Sequence, residues 1–353
     1  MDRVEGLMKR FTEAAGVSGA EGEIFGLMKE ELEPIAEISG DRLGSFIGRL
    51  KGGAKGPRIM LAAHMDEIGL MVSHFTGNFV RFNTLGGWWN PRLIGLPVRI
   101  RTSKKDIMGV VASKSPFHMD KEERDRPMKS KDLYIDVGLT GKKKPESLGI
   151  RPGDPVVPEF PFTVLEGGGT YMAKAWDDRA GCVALVEIMR RLSKFRLPNA
   201  VYCAGTVQEE VGLRGAVTSG HSIAPDLCFA IDVNIAQDLP GSPEGSVESL
   251  GAGVSICVYD ATLIPNVRLR DHVAAVAERK KIPHHFSAIP FGGTDGGKVH
   301  LNESGVPTLV IGIPTRYIHS QAGILCRKDF DNTVKLMVEV VRTLDGKTVG
   351  GFI

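Results

Sequence analysis

Four short runs constrain the architecture most: "RIMLAA" (58–63), "AVYCAGTV" (200–207), "LCFAI" (227–231) and "TLVIGI" (308–313). Each is apolar without the in-out alternation of a half-solvated strand, so both faces are covered. The intervening segments supply the cover. Leu185, Ile188, Met189 and Leu192 fall on one helical face, as do Leu269, Val273 and Val276. Val334, Met337, Val338, Val341 and Leu344 mark a last helix, and two amphipathic helices precede the first run. Strands alternating with helices in this way predict an α/β unit with helices on both sides of a sheet.

The stretch from 67 to 162 breaks this rhythm. "FVRFNTLGG", "LPVRIRT", "DIMGVVAS" and "LYIDVG" are short, alternating and separated by Gly, Pro and Asn. They predict a small β-barrel or sandwich inserted into the α/β unit, which is then discontinuous: 1–66 and 163–353 around an insertion at 67–162. Within the insertion, "PFHMDKEERDRPMKSKD" (116–132) is dense in charge and predicts a mobile surface loop.

Composition narrows the function. Among 353 residues, 42% are hydrophobic and 24% charged, with a net charge of +2, which gives no reason to expect a nucleic-acid partner or an acidic membrane surface. No apolar run approaches the roughly 20 residues of a membrane helix, and the first residues, with apolar positions at helical spacing and two acids, do not read as a signal peptide. Cys182, Cys203, Cys228, Cys257 and Cys326 are odd in number and set mostly in apolar runs. They read as buried free thiols of a cytoplasmic enzyme, not as a disulfide framework or a zinc knuckle.

Chemistry-bearing residues gather just past the predicted strands. "AAHMDE" brings His64, Asp66 and Glu67; "QEE" brings Glu209 and Glu210; "AIDV" brings Asp232; "YIHS" brings His319; and "AWDDRAG" puts Asp177 and Asp178 at a helix start. Singly each has an ordinary explanation: a packed histidine, an N-cap, a solvated acid pair, a turn. Together they share the carboxyl edge of one sheet, where ligands of open α/β folds bind. Two imidazoles with several carboxylates form a donor set for zinc, cobalt or manganese, and one carboxylate shared between two ions would make a co-catalytic pair.

The ordered motifs "AAHMDEIG", "KAWDDRAG", "TVQEEVGLRGA", "FAIDV", "GGTDGG" and "RYIHS", with a β insertion after the first, resemble the tetrahedral aminopeptidases across essentially the whole chain. The resemblance implies a zinc-exopeptidase-like fold, a mixed sheet between helices with an inserted β-barrel that dimerises. It implies two divalent metal ions per subunit, zinc or cobalt, with manganese as the alternative. Asp177 would bridge them, His64 and Asp232 completing one and Glu210 and His319 the other. Glu209 would be the general base, Asp66 the acceptor that fixes the His64 imidazole, and Asp178 the partner of Asp177 in a cis peptide. Activity on short peptides within a homo-oligomeric tetrahedral dodecamer is implied too. The chain departs from the family pattern at Gly296, where alanine is usual, and at Gln321, Ala322 and Gly323, where an acid often follows the serine. Asp295, in its glycine-rich turn, is read as part of a substrate-pocket loop, and Trp88 and Trp89 as packing or subunit contacts.

A related metallocarboxypeptidase or deacylase shares the paired acids but not the β insertion at this place. A glycosidase needs acids flanking a bond about 5–9.5 Å apart, usually on separate elements, which the adjacent Glu209 and Glu210 do not suit. A binding module with a degenerate site is disfavoured because every expected ligand is present.

Overall fold

A computed structural model describes residues 1–53, 55–242 and 246–353. Among them, an eleven-stranded mixed sheet forms the larger body. At its centre Arg58–His64 pairs in parallel with Ala200–Thr206 on one side and Leu227–Ile235 on the other, and Leu227–Ile235 pairs in parallel with Thr308–Arg316. These are the four apolar runs. Helix Trp176–Leu192 packs on one face, its Leu185, Ile188, Met189 and Leu192 all buried. The interior of this body runs from Phe11 and Met28 through Leu61 and Phe229 to Phe330. Each such side chain removed from water stabilises the fold by about 1.5–3 kcal/mol before ordering costs.

The parallel register aligns the strand ends. His64 lies opposite Thr206, and Ala62 opposite Ala230, so His64 and Asp232 come level. The chain leaving Thr206 reaches Glu209 and Glu210 within four residues, at the same edge.

The insertion is a closed six-stranded barrel, with Gly69–Thr76, Phe79–Leu85, Leu133–Asp136, Asp106–Ser113, Pro97–Arg101 and Pro155–Pro158 in that order around it. It carries its own apolar interior, including Leu70, Val98, Ile100 and Ile135. Thr163–Val164 already belongs to the large sheet. The mixed sheet with helices and an inserted barrel is the architecture the sequence predicts.

Two local expectations are corrected. The charged stretch 116–132 is not simply a loop. It contains helix Lys121–Asp125, whose Asp120 cap accepts from the Glu123 amide at 2.7 Å, between short 3-10 turns. The stretch before the first apolar run also holds a hairpin, Ala36–Gly40 with Phe46–Leu50, which pairs onto Ala200–Thr206. No described helix is long and apolar enough to cross a membrane.

Candidate metal centre

Asp177 is the middle of the site. Its Oδ1 lies 2.9 Å from His64 Nε2 and its Oδ2 lies 3.2 Å from His319 Nε2. Asp232 Oδ1 stands 4.0 Å from His64 Nε2, and Glu210 Oε2 stands 3.7 Å from His319 Nε2. One carboxylate therefore has an imidazole and a second acid on each side. Two donor triplets, His64–Asp177–Glu210 and His64–Glu209–Asp232, converge to within 4.8 Å. His319 falls outside both and joins the cluster through Asp177 and Glu210.

Backbone geometry sets the imidazoles. His64 Nδ1 is 3.0 Å from the Asp66 carbonyl and His319 Nδ1 is 3.0 Å from the Gly87 carbonyl. A carbonyl accepts only, so Nδ1 carries the proton and Nε2 is left as the ligating atom in both rings. Gly87 belongs to the barrel, so the insertion orients one of the two histidines. Asp177 and Asp178 are joined by a cis peptide at the start of their helix, as the resemblance implied. Asp178 turns away, accepting from the His64 and Gly181 amides at 3.2 and 2.9 Å.

Asp66 does something other than expected. Its carboxylate lies 3.6 Å from His64 Nδ1, farther than its own carbonyl. Its oxygens instead accept from the Glu209 amide at 2.9 Å, the Glu210 amide at 3.2 Å and the Ser18 hydroxyl at 2.6 Å. The acid after His64 thus holds the backbone of the acid pair. Glu67 is also not a ligand. It is buried against Lys174 Nζ, at 2.7 and 2.8 Å, and Arg179, at 3.3 Å.

The electrostatics are those of several acids buried side by side. Burial pushes Glu210 up to about 8 and Asp232 up to about 7, with neighbouring Asp177 adding to both. Glu209 is raised well above the carboxylate range, chiefly by burial. Burial would lower His319, but its bond to Asp177 and the charge of Glu210 raise it to about 10. Glu210 Oε1 is buried with no hydrogen-bond partner. Buried acids and an orphaned carboxylate oxygen beside two oriented Nε2 atoms fit divalent cations, which would supply the missing charge.

A cavity of about 520 Å³ opens directly on this cluster, lined by His64, Asp177, Glu209, Glu210, Asp232 and His319 at one end. Gly292, Gly293 and Thr294 form part of its wall. Asp295 points beneath that wall, accepting from the Thr206 hydroxyl, with burial raising it to about 6. Trp88 packs against the barrel interior and donates from Nε1 to the Gly69 carbonyl at 3.1 Å, whereas Trp89 is 65% exposed.

Lys174, Arg179, Ser18 and Gly87 went unread in the sequence. The first two sit inside "KAWDDRAG", and their signal was a basic residue on either side of the Asp177–Asp178 pair. Gly87 acts through a carbonyl, which no side-chain pattern can announce.

An open sheet edge that gathers imidazoles and acids around a substrate-sized cavity is the arrangement of a metal-dependent hydrolase. The chain belongs to the M42 glutamyl aminopeptidase family, whose sequence profile matches residues 44–336. It is similar along its whole length to a crystallised TET aminopeptidase from a marine sediment Thaumarchaeota archaeon, with 42% identity, a TM-score of 0.97 and 100% of both chains covered. The TET1 peptidase of Pyrococcus horikoshii, described as assembling into a tetrahedron or a large octahedral shell, matches at 32% identity and a TM-score of 0.87. That match covers 97% of this chain and 100% of the other. The lysyl aminopeptidase of Pyrococcus furiosus is 35% identical over 350 residues, 96% of this chain and 98% of its own. The protein is an aminopeptidase, a hydrolase of the exopeptidase type, and its family membership implies divalent metal.

Proposed function

We propose that the chain removes single residues from the N-termini of short peptides at the Asp177 cluster, with two divalent ions bound there. The observation that carries this reading is Asp177 between two Nε2 atoms, each side completed by one further acid. His64 and Asp232 would hold one ion, Glu210 and His319 the other, and Asp177 would touch both. Zinc or cobalt suits this mix of nitrogen and oxygen donors, and manganese is admissible. When bound, such ions lower the pKa of a water and polarise the scissile carbonyl.

The protein's own work falls to Glu209. Its burial and raised proton affinity suit a base that takes a proton from the attacking water and returns it to the departing amine. Asp66 keeps the two glutamates apart in role by gripping both amides, so that adjacent side chains leave in different directions.

The unit division 1–66 with 163–353 around 67–162 belongs to the same proposal, with the barrel as the dimerising body of a homomeric shell. Exposed Trp89, Met108 and Phe117, at 65, 56 and 96%, support a barrel surface that is covered in an assembly. All five cysteines are free and buried, which supports a reducing, cytoplasmic setting.

The test separates the two glutamates. Glu209→Gln should lower kcat by about 100- to 10,000-fold while the purified protein retains its metal content. Glu210→Gln should instead lower bound metal, measured by plasma emission after dialysis. Full activity in the first variant, or unchanged metal in the second, would reverse or remove these roles.

A further inference from the structure

We propose that this aminopeptidase selects large neutral N-terminal residues, aliphatic or aromatic, over charged ones. The inference rests on the Asp177 cluster being the active centre and concerns how the same cavity reads the first side chain. Beside the ligand-type residues, the apolar part of the cavity wall is built from Leu213, Val233, Ile235, Ile289, Phe291 and Ile318. Two of them are left uncovered by the protein: Phe291 is 92% exposed and Ile235 44%. Apolar side chains left open beside a catalytic cluster gain most from an apolar ligand.

The polar side chains in that wall are already engaged with the protein. The Asn234 amide donates to Ser255 Oγ at 2.8 Å and to Glu248 at 3.3 Å, and its oxygen accepts from the Ile235 amide at 2.9 Å. The Thr262 and Thr294 hydroxyls donate to Asp260 at 2.8 and 3.0 Å. Asp260 is only 1% exposed, so its charge is taken up behind the wall.

Among the described residues no lysine or arginine lines the cavity, and its only carboxylates are Asp177, Glu209, Glu210 and Asp232 at the ligand end. A glutamyl side chain would bring a further anion to a cavity with no side-chain cation at the wall. A lysyl ammonium would lose hydration against that wall with no free acid opposite it. Either charge is stranded, whereas leucyl or phenylalanyl side chains cover the exposed apolar atoms. Glycines keep the wall thin: a Cβ at Gly293 would come within 2.4 Å of Thr262 Cγ2, and Gly292 has φ +135.

The experiment uses metal-loaded enzyme and the p-nitroanilides of leucine, phenylalanine, alanine, glutamate and lysine. In parallel, thermal shift is recorded with free leucine, glutamate and lysine. The expected kcat/KM for leucyl and phenylalanyl substrates exceeds that for glutamyl and lysyl by about 100-fold, and that for alanyl by about tenfold. Leucine alone should raise Tm. Ile235→Lys, at a half-open rim position with little packing to lose, should raise the glutamyl-to-leucyl ratio about tenfold at low salt. Glutamyl or lysyl cleavage equal to leucyl in the parent enzyme would overturn the proposal, and an unmoved ratio in the variant would remove Ile235 from the wall. If none of the five substrates is cleaved, the catalytic reading fails by itself. The thermal shifts then decide the pocket: stabilisation by leucine supports apolar recognition, and stabilisation by glutamate or lysine refutes it.

Discussion

Glu67, Lys174 and Arg179 form a charged triad with essentially no access to water, one acid between two bases. Arg179 also donates to the Phe11, Ala14 and Gly16 carbonyls, where helix Arg3–Glu13 ends and a cation favours the exposed carbonyl dipoles. Gly16 leaves room for that guanidinium, since a Cβ there would sit 2.7 Å from its Nη2. The triad ties the turn after His64 to the turn before Asp177. Glu67→Met should therefore cost about 3–5 kcal/mol, because it leaves two buried cations without their acid, while Lys174→Met keeps the Glu67–Arg179 pair and should cost less. Urea denaturation of the parent and the two variants checks this, and equal losses in the two variants would count against it. At this scale the sequence showed which types of residue could ligate, because ligands need particular atoms at strand ends. It did not show that Glu67 pairs inward or that Asp66 turns to an amide pair. Those choices depend on partners more than a hundred residues away.

The bend carrying Glu209 and Glu210 is the element on which most depends. It turns through Gln208 and Leu213 at φ +57 and Gly212 at φ +129, and closes where Gly215 donates to the Val207 carbonyl at 2.8 Å. A Cβ on Gly215 would lie 2.4 Å from the Val207 nitrogen, which is backbone and cannot swing aside. Gly215→Ala should then destabilise by about 1–3 kcal/mol and lower activity with it, read by denaturation and initial rates on the same sample. The neighbouring hairpin turn is held by Asp41, which accepts from the Leu43, Gly44 and Ser45 amides at 2.8–2.9 Å and from the Thr218 hydroxyl at 2.6 Å. Burial raises Asp41, but these donors outweigh it and leave its pKa lowered. A lowered carboxyl stabilises fully above its unfolded value of about 3.9, and that stability is lost as pH falls through the folded value below it. Stability between pH 5 and about 2 should therefore fall less steeply in Asp41→Asn than in the parent, at an offset on the order of 1–2 kcal/mol near neutrality. A parallel pair of curves would refute the linkage. The central strands were legible because both their faces are apolar. The Ala36–Gly40 and Phe46–Leu50 hairpin was not, since its outer strand alternates weakly and Gly48 interrupts the inner one.

Across the whole molecule, two interiors are joined by a short crossing on each side, and the barrel reaches back over the sheet edge. Arg92 donates to the Ile318 and His319 carbonyls at 3.2 and 3.3 Å, and Gly87 orients His319. The tryptophan pair separates packing from assembly. Trp88→Ala should lower stability by less than the about 3–5 kcal/mol of a fully buried ring, since it removes a half-buried ring packed against the barrel interior. Trp89→Ala should leave the subunit's stability unchanged and shift sedimentation toward smaller species if the exposed barrel face is an interface. Unchanged sedimentation would move the interface elsewhere. The insertion was legible as β from its alternation, but its reach over the site was not, because a glycine carbonyl leaves no mark in composition.

His64 lies near the beginning of the chain and His319 close to its end, and a barrel carbonyl sets the second ring. The whole inserted barrel lies between the two histidines in the sequence. A chain without its last elements thus lacks His319, and Asp177 then keeps one imidazole neighbour of its two.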